Sequence, residues 1–164
     1  MRPHTLARLA ALVGTLTACS DFPTRPTADF AAAWQRWQRS QPADYRYDVQ
    51  VLCFCGPERT RTVHAVVSGG QTVSFFYADS GNAADTVLFS DVRTMDRLFA
   101  TLQAALDRHP YRFVAAFDPN LGYPVSVDID VDAQIVDEEV SYRISNFSPL
   151  LRAVGSETVP PARR

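Results

Sequence analysis

The sequence predicts an α+β domain: an antiparallel sheet of about six strands in the order α-β-β-β-α-β-β-β, with two helices packed on one face. Three observations predict it. Apolar residues recur at i, i+3, i+4 and i+7 in two stretches, ADFAAAWQRWQRSQP and MDRLFATLQAALDRH. Five other stretches alternate apolar and polar residues, the period of a strand with one face buried, and YRFVAAF reads as a sixth strand. Turn chemistry separates them: GPERT, Gly69-Gly70 and DPNLG.

The chain opens with Arg2 and Arg8 around a short apolar run, Leu9 to Thr17. Residues 1–18 read as a secretory signal, too short to span a bilayer. Leu16-Thr17-Ala18-Cys19 resembles the lipobox of bacterial lipoproteins, in which the cysteine is acylated and becomes the first mature residue. Several acyl chains on Cys19 would anchor the protein firmly, and Ser20 would favour the outer membrane in a host that has one. Residues 19–27, with Pro23 and Pro26, read as an acylated cysteine and an extended tether. A single α+β domain over 28–148 and a frayed tail over 149–164 complete the expected organisation.

Within the domain, Thr27 is placed to cap a first helix whose stripe is Phe30, Ala33, Trp34 and Trp37, and Pro42 stops it. DYRYDVQVLCFC alternates as a strand with Tyr45, Tyr47, Val49, Val51, Cys53 and Cys55 inward. RTVHAVVS follows with Val63, Ala65 and Val67 inward, and QTVSFFYA with Val73, Phe75 and Tyr77 inward, closing a meander. Residues 79–93 read as a loop with an apolar insert. Thr94 caps the second helix, whose stripe is Met95, Leu98, Phe99, Leu102, Ala105 and Leu106. YRFVAAF, YPVSVDIDV (Val125, Val127, Ile129 and Val131 on one face) and EVSYRISNF (Val140, Tyr142 and Ile144) give three more strands. Tyr45-Arg46-Tyr47 after the first helix and Tyr111-Arg112-Phe113 after the second suggest two similar α-β-β-β halves.

The 164 residues hold 16 basic and 18 acidic side chains, every basic one arginine. Loss of Arg2 and Arg8 with the signal leaves 14 against 18, a formal net charge of -4, which argues against nucleic acid as a partner. Tyr-x-Tyr before Cys-Phe-Cys, Gly122-Tyr123-Pro124, and Asp137-Glu138-Glu139 before the last strand, all behind a lipobox, together resemble a family of bacterial lipoproteins known only as a domain of unknown function. The resemblance covers Trp34 to Phe147. It implies an envelope location and brings no activity, ligand or catalytic residue.

Four groups of residues are candidates for chemistry or binding. Outside the cytoplasm thiols oxidise, and with Cys19 acylated, Cys53 and Cys55 have only each other within the chain. Residues i and i+2 of a regular strand lie near the upper limit of about 6.8 Å for a disulfide, so a bond needs a kink, which Gly56-Pro57 can supply. The alternatives are buried thiols packed as small hydrophobes, or a metal, intermolecular or redox role, the last as a thiol-disulfide enzyme. Asp128, Asp130, Asp132 and Glu139 occupy positions one, three, five and twelve of a calcium-loop pattern, with Ala133 where its glycine belongs. The plainer reading is a polar strand face followed by an acidic hairpin loop. Leu52, His64 and Phe76 are expected side by side on the outer face, with Phe54 diagonal to them, as a partner surface or as a patch covered by another segment. No nucleophile, base and orienter fall together, so no catalytic site is read and no cofactor is expected. The function expected is a membrane-anchored envelope lipoprotein, not an enzyme, that binds an envelope protein through its sheet. A calcium or small-ligand binding protein and a thiol-disulfide enzyme are the alternatives.

Overall fold

In the computed structural model, which describes residues 25–135 and 137–151, two helices and six strands follow in the expected order. They are α1 (Arg25–Ser40), β1 (Asp44–Cys53), β2 (Val63–Ser68), β3 (Gln71–Tyr77), α2 (Met95–Asp107), β4 (Arg112–Phe117), β5 (Pro124–Asp130) and β6 (Val140–Pro149). The strands form one sheet in the order β3-β2-β1-β6-β5-β4, each neighbouring pair antiparallel. That order is what two α-β-β-β units give when laid side by side in one sense. β6 takes the free edge of β1, whereas β4, the equivalent strand, ends the sheet. Tyr45 is accordingly 2% exposed and Tyr111 70% exposed.

Both helices cover the face to which the odd residues of β1 point. Tyr45, Tyr47, Val49 and Val51 are buried there with Val63, Ala65, Val67, Val127, Ile129, Tyr142 and Ile144. α1 adds Phe30, Ala33 and Trp37, and α2 adds Met95, Leu98, Phe99 and Leu102. Full burial of each large apolar side chain contributes about 1.5–3 kcal/mol, so this inner face is where the fold is held. Phe30 meets Phe99 edge-on at 5.7 Å between ring centroids, Trp37 meets Tyr45 at 5.4 Å, and the Trp37 indole N–H donates to Asp96 at 3.1 Å. Thr94 caps α2 as its position predicts, its hydroxyl accepting from Arg97 N–H at 3.2 Å. α1 starts earlier than expected, so residues 25–27 belong to the helix and not to a tether, and Thr27 lies inside it. Pro26 falls in the first turn, where a missing N–H costs nothing.

Three bulges alter the strict alternation read from the sequence. Val66 pairs with Ser74 but Val67 with Thr72, so Val73, expected inward, is an extra residue and is 62% exposed. Ala116 pairs with Ser126 but Phe117 with Pro124, and Val125, also expected inward, is turned out while Pro124 is buried. On β6, Asn146 and Phe147 together oppose Tyr47. Asn146 takes φ 51, a left-handed conformation that asparagine tolerates, and the shift turns Phe147 inward onto Trp37, Tyr45 and Tyr123. Pairing runs past the expected domain end at 148: Pro149 opposes Tyr45, and Leu150 N–H donates to Asp44 O at 2.8 Å. The signal, Cys19 and the remainder of the tail lie outside the described residues.

The stretch from 79 to 93, left unassigned by periodicity, packs over the inner face of the first meander. Phe89 and Val92 are fully buried, Tyr47 OH donates to Val92 O at 2.6 Å, and Met95 N–H donates to Tyr45 OH at 3.2 Å. Burial pushes the Tyr45 phenol up to about 12 and the Tyr47 phenol well above its ordinary value, so both stay neutral hydrogen-bonding groups. Asp91 accepts from Arg59 at 2.5 Å and from Tyr142 OH at 3.3 Å, and Arg59 also lies 4.9 Å over the Phe89 ring.

Candidate functional site

With both helices on the inner face, the outer face of the sheet carries no helical layer among the described residues. Its side chains form rows across the strands. One row runs Phe76 (β3), His64 (β2), Asp48 (β1) and Ser145 (β6). His64 Nδ1 sits 2.5 Å from Asp48 Oδ1, and a carboxylate can only accept, so Nδ1 carries the proton and Nε2 is directed away from Asp48. Asp48 Oδ2 accepts from the Asn146 side chain at 2.6 Å. The Phe76 ring lies 4.9 Å from the imidazole at a 33° tilt. The bulge on β6 is what brings Asn146 into this arrangement. An imidazole fixed on both sides in this way has its ring plane and the direction of Nε2 set by its neighbours.

Leu52 does not join this row. The expected register placed it opposite His64, but β2 pairs only with β1 from Asp44 to Val49, and Leu52 opposes Ser141 of β6. Four residues separate it from Asp48, roughly 13 Å along the strand. Phe54, expected diagonal to the cluster, stands beyond the end of β1 and is 81% exposed. The four partner-surface candidates therefore divide into two places, His64 with Phe76 and Leu52 with Phe54.

Cys53 and Cys55 are joined by a disulfide with their Cα atoms 5.3 Å apart. β1 ends at Cys53, and Cys55 N–H turns back to Cys53 O at 2.9 Å, which supplies the kink that a bond between i and i+2 requires. Cys53 packs against the core, but Cys55, expected on the inner face, is exposed because the strand has already stopped.

The acidic segment is divided among other tasks. Asp128 accepts from Ser141 at 2.5 Å and from Arg143 at 2.6 Å, and these two donors hold its carboxyl below the ordinary carboxylate value. Asp132 accepts from Gln134 N–H at 2.9 Å in a turn. Asp128 and Asp130 stand on a strand, and Glu139 lies beyond the turn that follows it. Among the described residues, no group of three or more His, Cys, Asp or Glu side chains is placed to hold a metal ion.

Residues 29–149 match a family described as "Family of unknown function (DUF6174)". The chain belongs to this family. No curated protein and no solved structure matches it. The DUF6174 span starts in α1 and ends on the last residue of β6, so it contains the whole His64 row and the Cys53–Cys55 bridge and leaves Cys19 outside. Among the described residues no helix is long and apolar enough to cross a membrane.

Sequence alternation put His64 and Phe76 on the outer face but did not single out Asp48 or Asn146. Asp48 has even parity in β1, the same outer face as His64, and that was the available signal. Asn146 could be found only through the bulge, which the Ser-Asn-Phe order hints at, since asparagine before an inward aromatic suits a left-handed kink.

Proposed function

We propose that this DUF6174 protein is an envelope lipoprotein anchored through acylated Cys19, and that its domain is a non-catalytic module that binds an envelope protein through the outer face of the sheet. The observation that carries the reading is the His64 arrangement. On a face that carries no helical layer among the described residues, four neighbouring strands contribute Phe76, His64, Asp48 and Asn146 to one fixed cluster. Ordering these part-buried polar side chains costs side-chain entropy against a return of only about 1 kcal/mol, and a recognition role accounts for the cluster. Leu52 and Phe54 add exposed apolar side chains at the end of β1. The sequence Leu16-Thr17-Ala18-Cys19 supports the anchor.

The test is cross-linking of the tagged full-length protein in its own envelope, followed by identification of captured proteins by mass. His64→Ala and Phe54→Ser should each reduce capture of the same partner without lowering the melting temperature by more than a few degrees. Capture that is unchanged in both variants overturns the binding face. Retention of Cys19→Ser in the membrane fraction overturns the anchor.

A further inference from the structure

The two edges of the sheet are finished differently. Outside β3 the chain folds back on itself: Phe76 bridges Ala83, Tyr77 N–H donates to Asn82 O at 2.9 Å, and Ala84 N–H donates to Phe75 O at 3.2 Å. The Val73 bulge further breaks that edge. Such devices stop a strand from pairing with another chain. Among the described residues β4, at the opposite edge, has none of them. It contains no proline and no inserted residue, its single charge is Arg112, and Val114 in its middle is 48% exposed.

Among the described residues no strand pairs with the outer edge of β4. Tyr111 N–H donates to Val131 O at 3.3 Å, toward β5. By the alternation of an antiparallel ladder, Phe113 and Ala115 also turn their backbone groups to β5, while those of Arg112, Val114 and Ala116 point away from the sheet. In the side-by-side arrangement of the two α-β-β-β units, β4 corresponds to β1, and β6 occupies the matching edge of β1.

We propose that β4 is the interface of a two-fold homodimer, in which two copies of this chain pair β4 antiparallel to β4 and continue one sheet through both. Side-chain complementarity selects the register. With the axis at Ala115, Val114 opposes Ala116, Phe113 opposes Phe117 and Arg112 opposes Asp118 of the other copy, and inward residues stay with inward residues. An axis at Val114 would set Arg112 against Ala116 and leave Asp118 against Pro110. Arg112 makes no ion pair among the described residues. Asp118 uses Oδ1 to accept from the N–H groups of Asn120 and Leu121, at 3.0 and 2.6 Å, which leaves Oδ2 for the guanidinium. The register places Val114 and Ala116 in a pair that exchanges both backbone hydrogen bonds, in agreement with the outward direction of those groups.

The experiment uses the full chain carrying Cys19→Ser, so that no lipid drives association, in sedimentation equilibrium. A dimer is expected. Arg112→Glu sets two like-charged pairs across the axis and should raise the dissociation constant by about tenfold. Val114→Pro removes an outward N–H at a position where an edge strand tolerates proline, and should give monomer. Ala115→Cys faces its own copy across a narrow non-hydrogen-bonded pair and should form a covalent dimer on mild oxidation, whereas Ala116→Cys should not. A monomer at all concentrations overturns the proposal, as does a dimer that Arg112→Glu leaves unchanged or that Ala116→Cys links as readily as Ala115→Cys. If Val114→Pro fails to fold, the exposed Arg112→Glu and the two cysteine variants still decide.

Discussion

Asp48 and His64 face each other across β1 and β2 with carboxylate and imidazole 2.5 Å apart, and Asn146 holds the far oxygen of the same carboxylate. The pair is part-buried, with side chains 22% and 15% exposed. Its main consequence is orientation. Replacement of Asp48 by Ala removes the acceptor for the Nδ1 proton, and the imidazole is expected to shift toward the tautomer protonated at Nε2. Nitrogen-15 correlation spectra of the His64 ring report this directly. The accompanying loss of stability should be about 1 kcal/mol. A ring signal identical in both proteins would show that Asp48 does not set the tautomer.

Arg59 and Asp91 tie the turn after β1 to the stretch before α2, and both are largely covered, with side chains 12% and 24% exposed. Asp91→Ala leaves the Arg59 guanidinium without its partner beneath that stretch and should destabilise the domain by roughly 3 kcal/mol. Tyr142→Phe removes only a 3.3 Å hydrogen bond to the same carboxylate and should cost no more than about 1 kcal/mol. Denaturant titrations of both variants check the order of the two effects. A Tyr142→Phe loss as large as that of Asp91→Ala would mean that the ion pair is not the main fastening.

Gly122 sits in the turn between β4 and β5 with φ 87, and a Cβ there would fall 2.3 Å from Ala33 O and 2.9 Å from Trp37 N, both backbone atoms of α1. Neither atom can move without displacing the helix that carries Trp37. Gly122→Ala therefore combines a left-handed backbone penalty of about 1 kcal/mol with a steric conflict, and the summed loss should exceed roughly 2 kcal/mol. Gly81→Ala makes a useful control, since Gly81 has φ 70 but open space at its Cβ position. It should show the backbone penalty alone. Thermal melts of the two variants separate strain from collision.

The elements and their order were legible because each carries an uninterrupted period: Tyr45 to Val51 at two, Met95 to Leu102 between three and four. Inward placement failed at Val73 and Val125 for one reason. Each is a β-branched residue within an alternating run, and period alone cannot show an inserted residue. Register failed between Leu52 and His64 because β1 is longer than β2, and its last residues pair only with β6. The packing of residues 79–93 was illegible because Phe89 and Val92 are fixed by tertiary partners, Arg59 and Tyr47, distant in sequence. The disulfide between Cys53 and Cys55 was among the readings the sequence left open, and the end of β1 at Cys53 provides its kink. The His64 site was half visible: parity placed its side chains on the correct face, but only the paired strands bring Asp48 and Asn146 to it.

Asp128 gives the fold a pH dependence at the acid end. Hydrogen bonds from Ser141 and Arg143 hold its carboxyl below the ordinary value of 3.8. The folded state therefore binds this proton more weakly than the unfolded chain does. The resulting stability is fully present above the unfolded value and is lost as pH falls from there through the lower folded value. Because the pair is about one-third exposed, its worth is that of a screened surface interaction, roughly 0.5–1 kcal/mol. Arg143→Gln should remove part of that amount at pH 7 and bring the Asp128 pKa back toward 3.8, with Ser141 still donating. Urea titrations at pH 7 and at successively more acid pH should show the two proteins differing at the first pH and converging as pH falls through the folded-state value. An Arg143→Gln deficit that stays constant as pH falls would assign the lost stability to the guanidinium's hydrogen bonds to Val127 O and Tyr142 O, at 3.1 and 3.0 Å, and not to the carboxylate.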